Sequence, residues 1–251
     1  MATRRTPAFI LRTVDYGDHH LIVHLLGRHT GRLSAIAYGA RSSKRRFSGA
    51  LEPLRVVDAT IRPPKSGDLY RLQELDVTED FPGLEERIET ITAAGYGTEL
   101  TRETWREGED ATAVFALLHR FYSHLPNCPS SVAVARLVHQ FEYQLLDLYG
   151  LAPAIEHCAR CSTPPAGMDK LRCSRRGEGL VCRMCRRPDE AIGVITPATL
   201  DMLRHLADPD HPLPTDGLEA AVAQAGRVLH NAIIHLVERP LVSRQMLFDL
   251  L

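Results

Sequence analysis

Between residues 8 and 80 the apolar positions come in short bursts. AFILRTV, HLIVHLL, RLSAIAYG, PLRVVDATIR and YRLQELDVTE are rich in Val, Ile, Leu, Tyr and Thr. Such residues suit a pleated, half-buried surface. Turn signals separate them: Tyr16-Gly17-Asp18, the stretch from Gly27 to Gly31, the Gly39–Gly49 loop and the Pro63–Asp68 turn. Five short strands in so little chain predict a small barrel, and both a five-stranded OB-fold and an SH3-like barrel fit the pattern.

From Phe81 onward the period changes. Leu84, Ile88, Ile91 and Gly95 fall on one helical face, with Leu100 further along. Val114, Leu117, Leu118 and Phe121 mark a second helix. Val134, Leu137, Val138, Phe141, Leu145, Leu146 and Leu148 mark a third, capped by Ser130 or Ser131 and stopped at Gly150. Thr196-Pro197 reads as N-cap and first residue of a fourth helix, running to about Leu206. A fifth spans about Leu218 to Val237, with Pro240 beyond it, and 241-LVSRQMLFDLL-251 suits a last short helix. The pattern thus predicts an α+β multidomain chain in three parts: a barrel over 1–80, a helical domain over 81–152 and 196–251, and an inserted, turn-rich, Cys-rich module over 153–195.

Composition excludes more than it selects. The chain has 251 residues, 44% hydrophobic and 24% charged, with a net charge of −1. That supports a real core and argues against a general polyanion binder. The distribution changes this picture. Residues 1–65 hold twelve Lys/Arg against four acids, whereas residues 81–150 hold five Arg against ten acids. The basic surplus peaks in 38-YGARSSKRRFSGALEP-53, where Arg41, Lys44, Arg45 and Arg46 form the candidate polyanion contact. Tyr38 and Phe47 flank that loop, placed either to stack on bases or to anchor its ends. No apolar run reaches the length of a membrane span and no signal peptide is present, so the expected location is cytoplasmic, where thiols stay reduced.

Two C-x₂-C pairs, 158-CARC-161 and 182-CRMC-185, stand twenty residues apart. One tight turn can present two sulfurs to a single ion, and the second pair completes a tetrahedron. Cys158, Cys161, Cys182 and Cys185 are therefore the expected ligands of one structural Zn²⁺. Cys173, inside the intervening hairpin, is the alternative fourth ligand. Arg160, Lys170, Arg172, Arg175, Arg176, Arg183, Arg186 and Arg187 decorate this segment, either as solvated surface or as a second polyanion contact. Catalytic signatures are missing: there is no G-x-x-x-x-G-K-[ST], no H-E-x-x-H and no G-x-S-x-G. His20 and His24, four apart in a strand, have no carboxylate partner in the pattern. No catalytic residue is expected.

Several stretches carry a family resemblance. The run 31-GRLSAIAYGARSSKRRFSGALEPL-54 resembles the N-terminal signature of RecO, bacterial DNA repair and recombination mediators. 91-ITAAGYGTELTRE-103, 141-FEYQLLDLYGLAPAIEHCARC-161, 178-EGLVCRMC-185 and 241-LVSRQMLFDLL-251 are similar to later motifs of that family, in order. One departure is Glu178, where the family pattern has Gly before Gly179. The resemblance implies the OB-fold rather than the SH3-like barrel. It implies a non-enzymatic mediator of the RecF pathway that binds single- and double-stranded DNA and anneals strands. The implied partners are RecR and the C-terminal tail of single-strand-binding protein, and the outcome is RecA loading. The competing reading is a zinc-ribbon protein–protein adaptor whose basic loop is incidental.

Overall fold

Strand-forming residues at the N-terminus close on themselves. In the computed structural model, which describes residues 2–42, 46–47, 49–64 and 66–251, five strands form a closed barrel in the order β1-β2-β3-β5-β4. They are β1 (Arg4–Tyr16), β2 (His20–Gly27), β3 (Gly31–Ala37), β4 (Val56–Arg62) and β5 (Tyr70–Glu79). β3 and β5 run parallel, and the other neighbours are antiparallel. This is an OB-type barrel. Alternation fixes the register: Val23, Leu25, Leu33, Ala35, Val57, Ala59, Ile61 and Leu72 all point into one buried cluster. β1 starts earlier than its apolar run, because Arg4 and Arg5 pair with Ile61 and Thr60 of β4. Pro7 is tolerated there because β1 meets β2 only from Ala8 onward.

The chain divides into two compact units, Met1–Pro126 and Asn127–Leu251. In the first, the barrel is accompanied by α1 (Ile88–Thr104) and α2 (Thr112–His124). Phe9, on the outer face of β1, packs its ring 4.7 Å from Phe115 and 5.4 Å from Tyr122 of α2. The buried face of α1 differs from the one its apolar letters predict. Ile88 is exposed and Ile91 half-buried, whereas Thr90, Ala93, Ala94, Tyr96, Gly97, Thr98, Leu100, Thr101 and Thr104 are buried. The Thr98, Thr101 and Thr104 hydroxyls donate to the carbonyls of Ala94, Gly97 and Leu100, each at 2.8 Å. That satisfies them without water, so a polar residue type enters the core.

The second unit holds α3 (Ser131–Leu148), α4 (Pro197–Ala207), α5 (Leu218–Val237) and α6 (Val242–Leu250). Between α3 and α4 lies a small sheet, β7 (Gly179–Leu180), β6 (Arg172–Ser174) and β8 (Ile192–Val194), in the order β7-β6-β8. Capping follows the sequence: Ser130 accepts from Ala133 N, Thr196 accepts from Thr199 N, and Gly150 takes a positive φ of 66° past α3. No helix among the described residues is long and apolar enough to cross a membrane.

Candidate nucleic-acid interface and candidate metal centre

The basic loop leaves the barrel at Tyr38 and is pinned to it. Ala40, Phe47 and Ala50 all belong to the barrel's buried cluster, and the Arg46 carbonyl accepts from Leu75 N of β5 at 3.2 Å. Phe47 is 3% exposed, so of the two flanking aromatics it is the anchor. Tyr38 is 42% exposed. Of the four predicted contacts, Arg41 and Arg46 are exposed, while Lys44 and Arg45 lie outside the described residues. Arg41 forms an ion pair with Asp15, itself well exposed. Such a pair is worth at most about 1 kcal/mol, so an anion can compete for it. Arg46 Nη2 donates to the Tyr38 carbonyl at 2.8 Å and its guanidinium lies 5.1 Å from the Phe47 ring centre. Both arginines thus project from a loop whose ends are fixed.

The two strand histidines serve local geometry. His20 Nδ1 accepts from Gly39 N at 2.9 Å, which braces the start of the loop. His24 Nδ1 lies 3.0 Å from Ser34 Oγ. Burial, followed by the charges of Arg12, Arg32 and Arg102, holds the His24 pKa below its ordinary value.

In the second unit the two C-x₂-C turns face each other. Ser162 N donates to Cys158 O at 3.1 Å and Cys185 N to Cys182 O at 3.1 Å, closing two tight turns. Ala159 N→Leu180 O at 2.8 Å joins them, and Cys182 N points at Cys158 Sγ from 3.4 Å. The Sγ atoms of Cys158, Cys161, Cys182 and Cys185 all lie within 4.8 Å of one another. Four sulfurs at about 2.3 Å from one ion sit about 3.8 Å apart in a tetrahedron, so the donor set fits a metal ion. The thiols also pull apart in acidity. Thr163, followed by Cys185 and Cys182, brings Cys161 down to about 6, while hydrogen bonding to Cys161 followed by burial pushes Cys185 up to about 12. Four thiolates in so small a volume need a cation to coexist. Cys173 stands apart from this group: it is 4% exposed on β6, and burial pushes its thiol up to about 12.

A buried ion network supports the cluster, and the sequence pattern did not single it out. Arg160, between Cys158 and Cys161, donates to both carboxylate oxygens of Glu190, at 2.7 and 2.5 Å, to Glu178 and, at 2.8 Å, to the Cys185 carbonyl. Glu190 also accepts from Ser174 Oγ at 2.7 Å. Arg160 first, then Ser174 and Arg187 N, holds the Glu190 carboxyl down at about 2 against the cost of burial. Arg172 is paired with Asp169 at 2.7 and 3.0 Å. Arg160 and Arg172 are therefore structural, whereas Lys170, Arg175, Arg176, Arg183, Arg186 and Arg187 remain exposed.

The return turn needs its glycines. Gly177 and Gly179 have φ of 80° and 99°, and Glu178 between them supplies the ion pair to Arg160. A Cβ on Gly179 would overlap the Ala154 backbone, where Leu180 N→Ala154 O and Ala154 N→Glu178 O bonds at 2.8 and 3.0 Å tie β7 to the segment around Ala154. Gly179→Ala is expected to cost about 2–3 kcal/mol through φ strain and weakened pairing, read as a lower denaturant midpoint for the second unit.

Residues 1–81 match the family model described as Recombination protein O N terminal, and residues 85–245 match Recombination protein O C terminal. A DNA repair protein RecO of Anaeromyxobacter sp. (strain K) is 34% identical over 240 residues, covering 94% of this chain and 90% of that protein. The DNA repair protein RecO of Myxococcus xanthus (strain DK1622) is 35% identical over 238 residues, covering 94% and 93%. That of Pelobacter propionicus is 35% identical over 185 residues, covering 74% and 73%.

Proposed function

The chain belongs to the RecO family of DNA repair proteins, and from that premise we propose that it is a non-enzymatic recombination mediator of the RecF pathway. In this reading it acts in the cytoplasm, holds single- and double-stranded DNA, anneals complementary strands, and with RecR helps to load RecA. The observation that carries the DNA contact is the pinned loop: Ala40, Phe47 and Ala50 are buried in a closed barrel while Arg41 and Arg46 face solvent. A cationic loop on a rigid barrel attracts phosphates without reading sequence, and neutralising phosphate charge lets two strands approach.

The division of labour follows from this. In this reading residues 1–80 bind DNA, 81–152 with 196–251 make up a helical part, of which α1 and α2 belong to the barrel's compact unit, and 153–195 is a zinc-finger-like module. One structural Zn²⁺ is held by Cys158, Cys161, Cys182 and Cys185. Four thiolates close its coordination, so it supplies stability to the module and offers no open position for a reacting group. For the acidic, apolar C-terminal tail of single-strand-binding protein, the supporting feature is a cleft of about 350 Å³ in the second unit. Ala135, Val222 and Phe248 give it apolar walls, with Arg227 and Arg244 among its lining residues. Arg239 lines a neighbouring cleft that also includes Arg244 and Phe248.

The test is a salt titration of single-stranded DNA binding, comparing the wild type with the Arg41, Lys44, Arg45, Arg46→Ala variant. If each of the four meets one phosphate, the log–log slope becomes shallower by about 3, and affinity at low salt falls steeply. An unchanged slope and affinity would refute the loop's role and favour a zinc-ribbon adaptor with an incidental basic loop.

A further inference from the structure

The sequence has seven Phe, seven Tyr and one Trp. Thirteen of these are buried or half-buried, and only Tyr16 and Tyr38 are exposed, at 49% and 42%. Both lie at one end of the barrel in a single cross-strand row. Tyr16 stands opposite His20 in the β1–β2 register, and Leu21 stands opposite Ala37 in β2–β3, so the row continues from His20 to Tyr38. Directly opposed residues share a face of the sheet. The Tyr38 ring meets the His20 ring edge-on, with centroids 5.1 Å apart, and the Arg71 guanidinium of β5 lies over it at 5.3 Å. His20 is itself fixed by the Gly39 N–H. At ordinary strand spacing the two tyrosines are about 10 Å apart across the row.

We propose that the Tyr16–His20–Tyr38 row, with Arg71 at its end, is a base-stacking platform for single-stranded DNA; this rests on the DNA-binding reading above. Three features favour nucleic acid. An exposed ring braced by fixed neighbours loses little freedom when a flat partner lands on it. Tyr38 leads directly into the basic loop, and Arg46 donates to the Tyr38 carbonyl, so phosphate and base contacts are in register. Arg71 lies over the Tyr38 ring, and that ring is still 42% exposed, so a base landing there meets a cation beside it. Stacking accepts any base because every base has a flat face, but a duplex hides those faces. The platform therefore separates single strands from duplex, which the phosphate contacts of the loop do not.

The test measures full-length protein binding to a thymidine oligonucleotide, to an abasic strand of the same length, and to a duplex of that length. Tyr38→Ala and Tyr16→Ala are each expected to weaken thymidine-strand binding about 5- to 100-fold, with abasic and duplex affinity unchanged. Tyr38→Phe, which keeps the ring, is expected to bind all three as the wild type does. A wild type that binds all three while Tyr38→Ala binds the thymidine strand unchanged overturns the platform alone, and so does an equal loss on all three ligands. A wild type that binds none of the three overturns the DNA-binding reading and the platform with it.

Discussion

Cys182→Ala is expected to abolish the proposed metal binding, whereas Cys173→Ala leaves it intact. Cys182 belongs to the group of four sulfurs lying within 4.8 Å of one another, and Cys173 does not. Structural zinc in zinc-finger peptides is bound with about 10–16 kcal/mol of free energy that is also folding energy. The 153–195 segment has only a small sheet, with strands of three, two and three residues, so its fold leans on the sulfur cluster and the ion network beside it. Removing one thiolate should therefore lower metal content from about one ion per chain to near zero after dialysis, and open the segment to protease. Cys173→Ala removes only a buried sulfur from β6, a small cavity costing about 1–2 kcal/mol with metal retained. Elemental analysis after dialysis, with limited proteolysis beside it, checks both variants. Metal lost from Cys173→Ala, or kept by Cys182→Ala, would contradict the ligand set.

The two C-x₂-C pairs were legible because each is a local feature and the chemistry that needs it is strict. The barrel strands were legible for a similar reason, since alternation is written residue by residue. Strand order was not: the parallel β3–β5 pairing joins segments more than thirty residues apart, and no local pattern encodes it. The family resemblance supplied the OB-fold where periodicity left two barrels open. The buried face of α1 was hidden because Thr98, Thr101 and Thr104 read as polar until their hydroxyls are seen bonded to the preceding turn. At the basic loop, composition marked the charges but not which flanking ring turns inward, because Tyr38 and Phe47 differ by burial rather than by position in the pattern. Arg160 was counted among surface cations because its partner Glu190 lies thirty residues away in sequence.

That pair carries the second large effect. Glu190→Ala is expected to destabilise the second unit by about 3–5 kcal/mol, because it leaves the Arg160 guanidinium with much of its charge uncompensated in a site largely closed to water. Arg160 is 16% exposed and Glu190 1% at the side chain, and the carboxylate receives two bonds from Arg160 and one from Ser174. Glu178, 35% exposed, keeps one oxygen bonded to both Arg160 Nε and Nη2, but it lies nearer solvent and does not replace the buried bidentate partner. The loss should also reach the metal. Arg160 sits between Cys158 and Cys161 and donates to the Cys185 carbonyl, so it ties one C-x₂-C turn to the other. Removing groups that orient ligands costs about 10- to 100-fold in metal affinity. Competition with a chelator should therefore show Glu190→Ala releasing metal at lower chelator concentration than the wild type, and denaturant unfolding should show the lower midpoint. Glu178→Ala, at the half-buried arm of the same network, should shift both measurements in the same direction but by less. Wild-type behaviour from Glu190→Ala in both assays would mean that the sulfur cluster holds its geometry without the ion network.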